Sequence, residues 1–179
     1  SRMGLWNANR FLNCVKEDRV DINGLCFNFR NNQRIKVNST GLVYASKFGL
    51  RNFTSRFLSL GAEPNITGSD GQTALMYAVK RGFKGIVGDL LKHGADVNEQ
   101  DREGRTAMWY ALEKVYDDED DLDLAVIQSL IHSGAYINTK SHMNTTLLMF
   151  AAREGNQTFV SELLKNGAHI NSKDINGKT

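Results

Sequence analysis

Four histidines, two cysteines and a run of acids are the residues whose chemistry could extend to catalysis or metal binding. His93, His132, His142 and His169 are side chains able to move protons or hold a metal near neutral pH. The patterns GxxxxGK[ST], GxSxG and HExxH, which build a phosphate loop, a serine nucleophile or a zinc site, do not occur. Residues 117–123 hold six acids in seven positions, without the spaced ligands and central glycine of a calcium loop. Such a run repels itself and stays solvated. Cys14 and Cys26 make no disulfide framework and no CxxC pair, so a reduced, cytoplasmic compartment is expected. No catalytic residue, no metal ligand and no cofactor is assigned, and the chain reads as a non-enzyme.

The elements that position these residues repeat. Thr40-Gly-Leu-Val-Tyr-Ala45 returns as Thr73-Ala-Leu-Met-Tyr-Ala78 after 33 residues and as Thr106-Ala-Met-Trp-Tyr-Ala111 after another 33. The fourth copy, Thr146-Leu-Leu-Met-Phe-Ala151, follows after 40. A second signature closes each copy: Gly61-Ala-Glu-Pro-Asn65, Gly94-Ala-Asp-Val-Asn98, Gly134-Ala-Tyr-Ile-Asn138 and Gly167-Ala-His-Ile-Asn171. Between the signatures, apolar residues recur at helical spacing, as Leu75, Ala78 and Val79 and then Ile86, Val87, Leu90 and Leu91. Phe159, Val160, Leu163 and Leu164 repeat the second set. Each threonine suits a helix N-cap. Gly49, Gly82 and Gly155 suit the turn between two helices.

These residues resemble the ankyrin repeat, in which T-P-L-H-x-A-A opens a first helix, a glycine turns the chain, and V-x-L-L leads to G-A-D-x-N. The resemblance spans roughly residues 40–179. It implies an all-α solenoid of helix-turn-helix units with β-hairpin fingers. The family's His is here Val43, Met76, Trp109 or Met149. Its hydrogen bonds are therefore expected to be missing, with apolar packing in their place and modest stability as the result.

The expected organisation is a single array: a degenerate repeat over 1–23, an elongated finger over 24–39, and repeats over 40–72, 73–105, 106–145 and 146–178. Residue 179 opens a further repeat, and further domains are expected beyond it. The repeat 106–145 carries the acidic insertion, 115–123. In the long finger, Leu25–Phe29 and Ile35–Val37 pair across Arg30–Arg34. Two readings of that finger stand open. Phe27, Phe29, Arg30 and Arg34 form an arm that reaches a partner, or a longer turn packs its aromatics on the neighbouring repeat.

Size and charge fit this picture. The chain has 179 residues, 41% of them hydrophobic and 23% charged, and a net charge of +2. No apolar run approaches the ~18 residues of a membrane span, so direct membrane insertion is not expected. Residues 1–56 hold ten Lys/Arg against three Asp/Glu, and residues 57–179 hold twelve against seventeen. One end is therefore basic, a gradient able to orient a partner.

By the family's pattern the concave side carries the variable positions around each first helix. The candidate contact residues are Lys47, Phe48, Asp70, Gln72, Lys80, Arg81, Arg102, Arg105, Trp109, Lys114 and Arg153. Arginine and aromatic groups are typical interface anchors. Trp109 is expected to be partly exposed. The column Tyr44, Tyr77, Tyr110 and Phe150 is expected to pack between first helices, with hydroxyls on backbone or water. The resemblance thus implies a protein-binding scaffold or adaptor. The alternative is a nucleic-acid or nucleotide sensor using the basic end and the aromatics. Locally, Thr146-Leu-Leu-Met-Phe-Ala-Ala-Arg-Glu-Gly155 after an interrupted repeat is similar to germ-cell scaffolds that combine ankyrin repeats, a sterile alpha motif and a leucine zipper.

Overall fold

The computed structural model describes residues 27–28, 33–34, 41–59, 61–114, 124–141 and 143–179. The eight helices among them are 7–9 residues long. Isolated helices shorter than roughly 12–15 residues are marginal in water, so these persist only by packing. They come in pairs: α1 (Gly41–Lys47) with α2 (Arg51–Ser59), and α3 (Ala74–Arg81) with α4 (Lys84–Lys92). The next pairs are α5 (Ala107–Lys114) with α6 (Leu124–His132), and α7 (Leu147–Arg153) with α8 (Gln157–Lys165). The first helices α1, α3, α5 and α7 stack in succession, and α2, α4 and α6 stack beside them.

Local chemistry sets the boundaries. The Thr73 hydroxyl accepts from the Met76 N–H at 3.3 Å, and Thr146 does the same for Met149 at 3.2 Å. The methionine sulfurs answer. Met76 Sδ and Met149 Sδ accept the Thr73 and Thr146 N–H groups, both at 3.4 Å. This corrects the expectation that losing the family's histidine leaves apolar packing alone, because the thioether is itself an acceptor. At the other end of α3, Gly82 takes the left-handed φ of 71° and its N–H returns to the Ala78 and Val79 carbonyls.

One continuous core joins the pairs. Leu42, Leu75, Leu90, Met108, Leu112, Ile127, Leu130, Leu147, Phe159 and Leu163 are buried within a single apolar cluster. The expectation that Leu164 shares this seam is corrected, since it stands 44% exposed while Leu163 is fully buried. Its counterparts Leu91 and Ile131 pack against the core, each with a further helix pair beyond it, whereas no described pair stacks beyond α8.

The loops between pairs share one hairpin. The N–H groups of Gly68, Asp101, Ser141 and Asp174 donate to the carbonyls of Gln72, Arg105, Thr145 and Lys178 at 2.8–3.0 Å. Single bridges, Thr67 with Thr73 and Lys140 with Thr146, are the strand-like part of two of these fingers. Asparagines then stitch repeat to repeat. Asn98 Oδ1 accepts the Tyr136 N–H at 2.8 Å and Asn98 Nδ2 donates to the Gly134 carbonyl at 3.0 Å. Asn138 repeats both bonds with His169 and Gly167.

In the long finger, β1 (Phe27–Asn28) pairs antiparallel with β2 (Gln33–Arg34), Phe27 lying opposite Arg34. The sequence reading put Gln33 and Arg34 in the turn and the second strand at Ile35–Val37. The observed register pairs Asn28 with Gln33 and so moves Gln33 and Arg34 from the turn into the second strand. Phe29 and Arg30, the degenerate repeat 1–23 and the acidic stretch 115–123 lie outside the described residues, as does His142.

Candidate partner-binding face

The fingers and the C-terminal ends of the first helices make one face, and a recurring trio of side chains shapes it. In the second repeat the Tyr77 hydroxyl donates to Asp70 Oδ2, across from the finger. Lys47, from the repeat before, donates from Nζ to the same hydroxyl at 3.4 Å and sits 4.7 Å from the ring centroid. Burial alone raises the Asp70 carboxyl. The bonds from Tyr77 and the Gln72 and Asp70 backbone, with the charge of Lys47, bring it below the usual carboxylate range.

The third repeat elaborates the trio. The Tyr110 hydroxyl donates to Asp101 Oδ2 at 2.5 Å, and Arg105 donates to that hydroxyl at 2.8 Å. Arg105 Nε also pairs with Asp101 at 3.0 Å, and its Nη1 reaches Glu103 at 3.1 Å and Glu113 at 3.2 Å. Asp101 Oδ1 meanwhile accepts the N–H groups of Glu103 and Arg105 and so closes the finger. Burial pushes the Tyr110 phenol well above its ordinary value, and the Asp101 bond and charge add to that. Asp101 is held low despite burial, by Tyr110 and by the Arg105 and Glu103 backbone. Lys80, from the repeat before, stands 5.0 Å from the Tyr110 centroid.

The fourth repeat abandons the trio. Ser141 and Met143 replace the acids, and Phe150 replaces the tyrosine. Trp109 meets Phe150 edge-on with centroids 5.7 Å apart, and Arg153 lies 4.7 Å over the Phe150 ring while pairing with Glu154 at 3.0 Å.

The structure thus sorts the expected contact residues. Phe48, Lys80, Arg81, Arg102 and Arg153 are exposed. Lys47 and Gln72 are half-buried, and Asp70 is exposed but bonded to Tyr77. Arg105 is held by three carboxylates and a phenol, so its charge serves the finger. Trp109 is 4% exposed, which corrects the expectation of partial exposure, because Phe150 of the next repeat covers it. Lys114 closes α5, and its side chain lies outside the described residues. The Tyr77 and Tyr110 hydroxyls donate to the carboxylates of Asp70 and Asp101, not to backbone as expected. With Tyr77 and Tyr110 buried, the stacking ladder required by nucleotide sensing is not favoured.

Sequence reasoning missed Asp101, whose signal was an aspartate four residues before an arginine and nine before a tyrosine. It also missed a clip on the opposite face, where Asp89 accepts from Arg51 at 3.0 Å and from Ser55 at 2.9 Å.

A family model describing three ankyrin repeats matches residues 42–141, and one describing a single ankyrin repeat matches residues 143–175. The chain belongs to the ankyrin-repeat family, an all-α solenoid whose repeats generally serve protein–protein interaction. No curated protein matches the chain. Among the described residues, no helix is long and apolar enough to cross a membrane.

Proposed function

We propose that this chain binds another protein through the face made by its fingers and the ends of its first helices. It acts there as the recognition part of a larger intracellular scaffold or adaptor, not as an enzyme. One observation carries the reading: the acids of this face are spent internally while three of its cations are left over. Asp70 is bonded to Tyr77, Asp101, Glu103 and Glu113 hold Arg105, and Glu154 holds Arg153. No carboxylate among the described residues lies within ion-pair distance of Lys80, Arg81 or Arg102. Exposed Phe48 (54%) and Met143 (71%) add apolar groups to the fringe. Free cations beside apolar anchors are what a protein interface uses.

The test is affinity capture from cells with the wild-type chain and with Lys80, Arg81 and Arg102 all changed to Ala. The triple variant should keep its circular dichroism spectrum and lose the captured partners. Retention of every partner by a folded triple variant contradicts the proposal.

A further inference from the structure

Resting on that reading, we infer that the segment this face receives is acidic: a stretch of protein carrying at least two carboxylates, engaged by Lys80, Arg81 and Arg102. Two of the three cations, Lys80 and Arg102, are held in place by packing rather than merely exposed. Lys80 stands over the Tyr110 ring at 5.0 Å, a contact that orients the ammonium while leaving its outward hydrogens unspent. Tyr110 is itself fixed by Asp101 and Arg105. Arg102 lies along the preceding finger, so closely that a Cβ on Gly71 would stand 2.9 Å from its Cγ. Its stem is packed and its guanidinium is unpaired, the arrangement that favours bidentate capture of a carboxylate. Arg81 adjoins Lys80 at the end of α3.

Lys80 and Arg102 both reach across the junction of the second and third repeats, where an acidic ligand supplies the counter-charge they lack. The surroundings select a peptide over a nucleic acid. Asp70, Glu103 and Glu113 stand on the same face as the cations, so a continuous phosphate backbone laid along it meets carboxylates at close intervals. A peptide can place its few carboxylates at the cations and neutral residues beside Asp70 and Glu103.

Fluorescence anisotropy on the full chain tests this, with a fluorescein-labelled Glu-Gly repeat peptide, its Gln-Gly counterpart and a single-stranded RNA as probes. At about 0.15 M salt the Glu-Gly peptide should bind and the Gln-Gly peptide should not. Lys80→Glu with Arg102→Glu should weaken the Glu-Gly peptide at least ~10-fold, about 1.4 kcal/mol. Lys92→Glu with Lys165→Glu, on the second helices, should leave it within ~2-fold. Circular dichroism and thermal melting confirm that each variant folds. Absence of Glu-Gly binding overturns the inference, as does equal binding by K80E/R102E. If the Ala triple variant still loses its captured partners, only the acidic character of the ligand fails and the protein-binding reading stands. Tighter binding of RNA, abolished by K80E/R102E, assigns the face to nucleic acid and overturns both.

Discussion

The third and fourth repeats share a backbone and differ in what fills it. Both fingers close with the same N–H to carbonyl bond, Asp101 to Arg105 and Ser141 to Thr145, each at 3.0 Å. In the third repeat a buried carboxylate, a guanidinium and a phenol lock the finger onto α5. In the fourth the corresponding side chains are Ser141, Thr145 and Phe150, and Met143 projects from the tip. The hairpin therefore belongs to the repeat, whereas its fixation to the helix belongs to particular side chains. A face built on the third repeat is rigid and charged, and one built on the fourth is apolar and loosely tied.

Removing the lock should give the largest effect. Asp101→Ala leaves Arg105 and Tyr110 without their buried acceptor, and by the cost of breaking a buried pair it should destabilise the chain by about 3 kcal/mol. Ser141→Ala at the equivalent position should cost less than about 0.5 kcal/mol. Urea unfolding of both variants measures the difference. Equal losses would dissolve the contrast between the repeats.

The same lock sets the pH response. Asp101 has a folded-state pKa below its ordinary value. Its contribution is thus present above about pH 4, the unfolded pKa, and is lost as pH falls through the folded one. Tyr110 is raised. Its contribution is complete below about pH 10 and is lost as the pH rises further. Tyr110→Phe should cost about 1–2 kcal/mol at neutral pH through the unsatisfied Asp101 and Arg105, and should flatten the alkaline limb. Phe150→Tyr should leave that limb as it is. Denaturant midpoints across pH read both.

The smallest effect lies in the fingertips. Gly71, Gly104 and Gly177 take positive φ, and Asn144 takes the same turn at φ 55°. Gly104→Ala should cost about 1 kcal/mol, the penalty of a Cβ in the left-handed region. Asn144→Gly should change stability by no more than about 0.5 kcal/mol, because asparagine tolerates that region. Unfolding midpoints suffice to compare them.

Much of this stack was legible from sequence because the core follows one period. Leu75, Leu90, Leu130 and Phe159 declare themselves at helical spacing, and every one is buried. What was not legible depends on contacts between segments. Asp101 meets Tyr110 only because the finger folds back over α5, and Trp109 is covered only by a ring from the following repeat. Composition at Met76 also hid a polar role, since a thioether reads as apolar until its sulfur is seen accepting the Thr73 N–H. Sequence named Lys80, Arg81 and Arg102 together with Arg105, but nothing in their spacing distinguished the three exposed cations from Arg105, which is consumed by its neighbours.

Amide hydrogen exchange on the chain, alone and saturated with a captured partner, addresses the central claim most directly. The account predicts slowed exchange at the finger residues 101–105 and at the ends of α3 and α5, with α4, α6 and α8 unchanged. Protection confined to the second helices would contradict it.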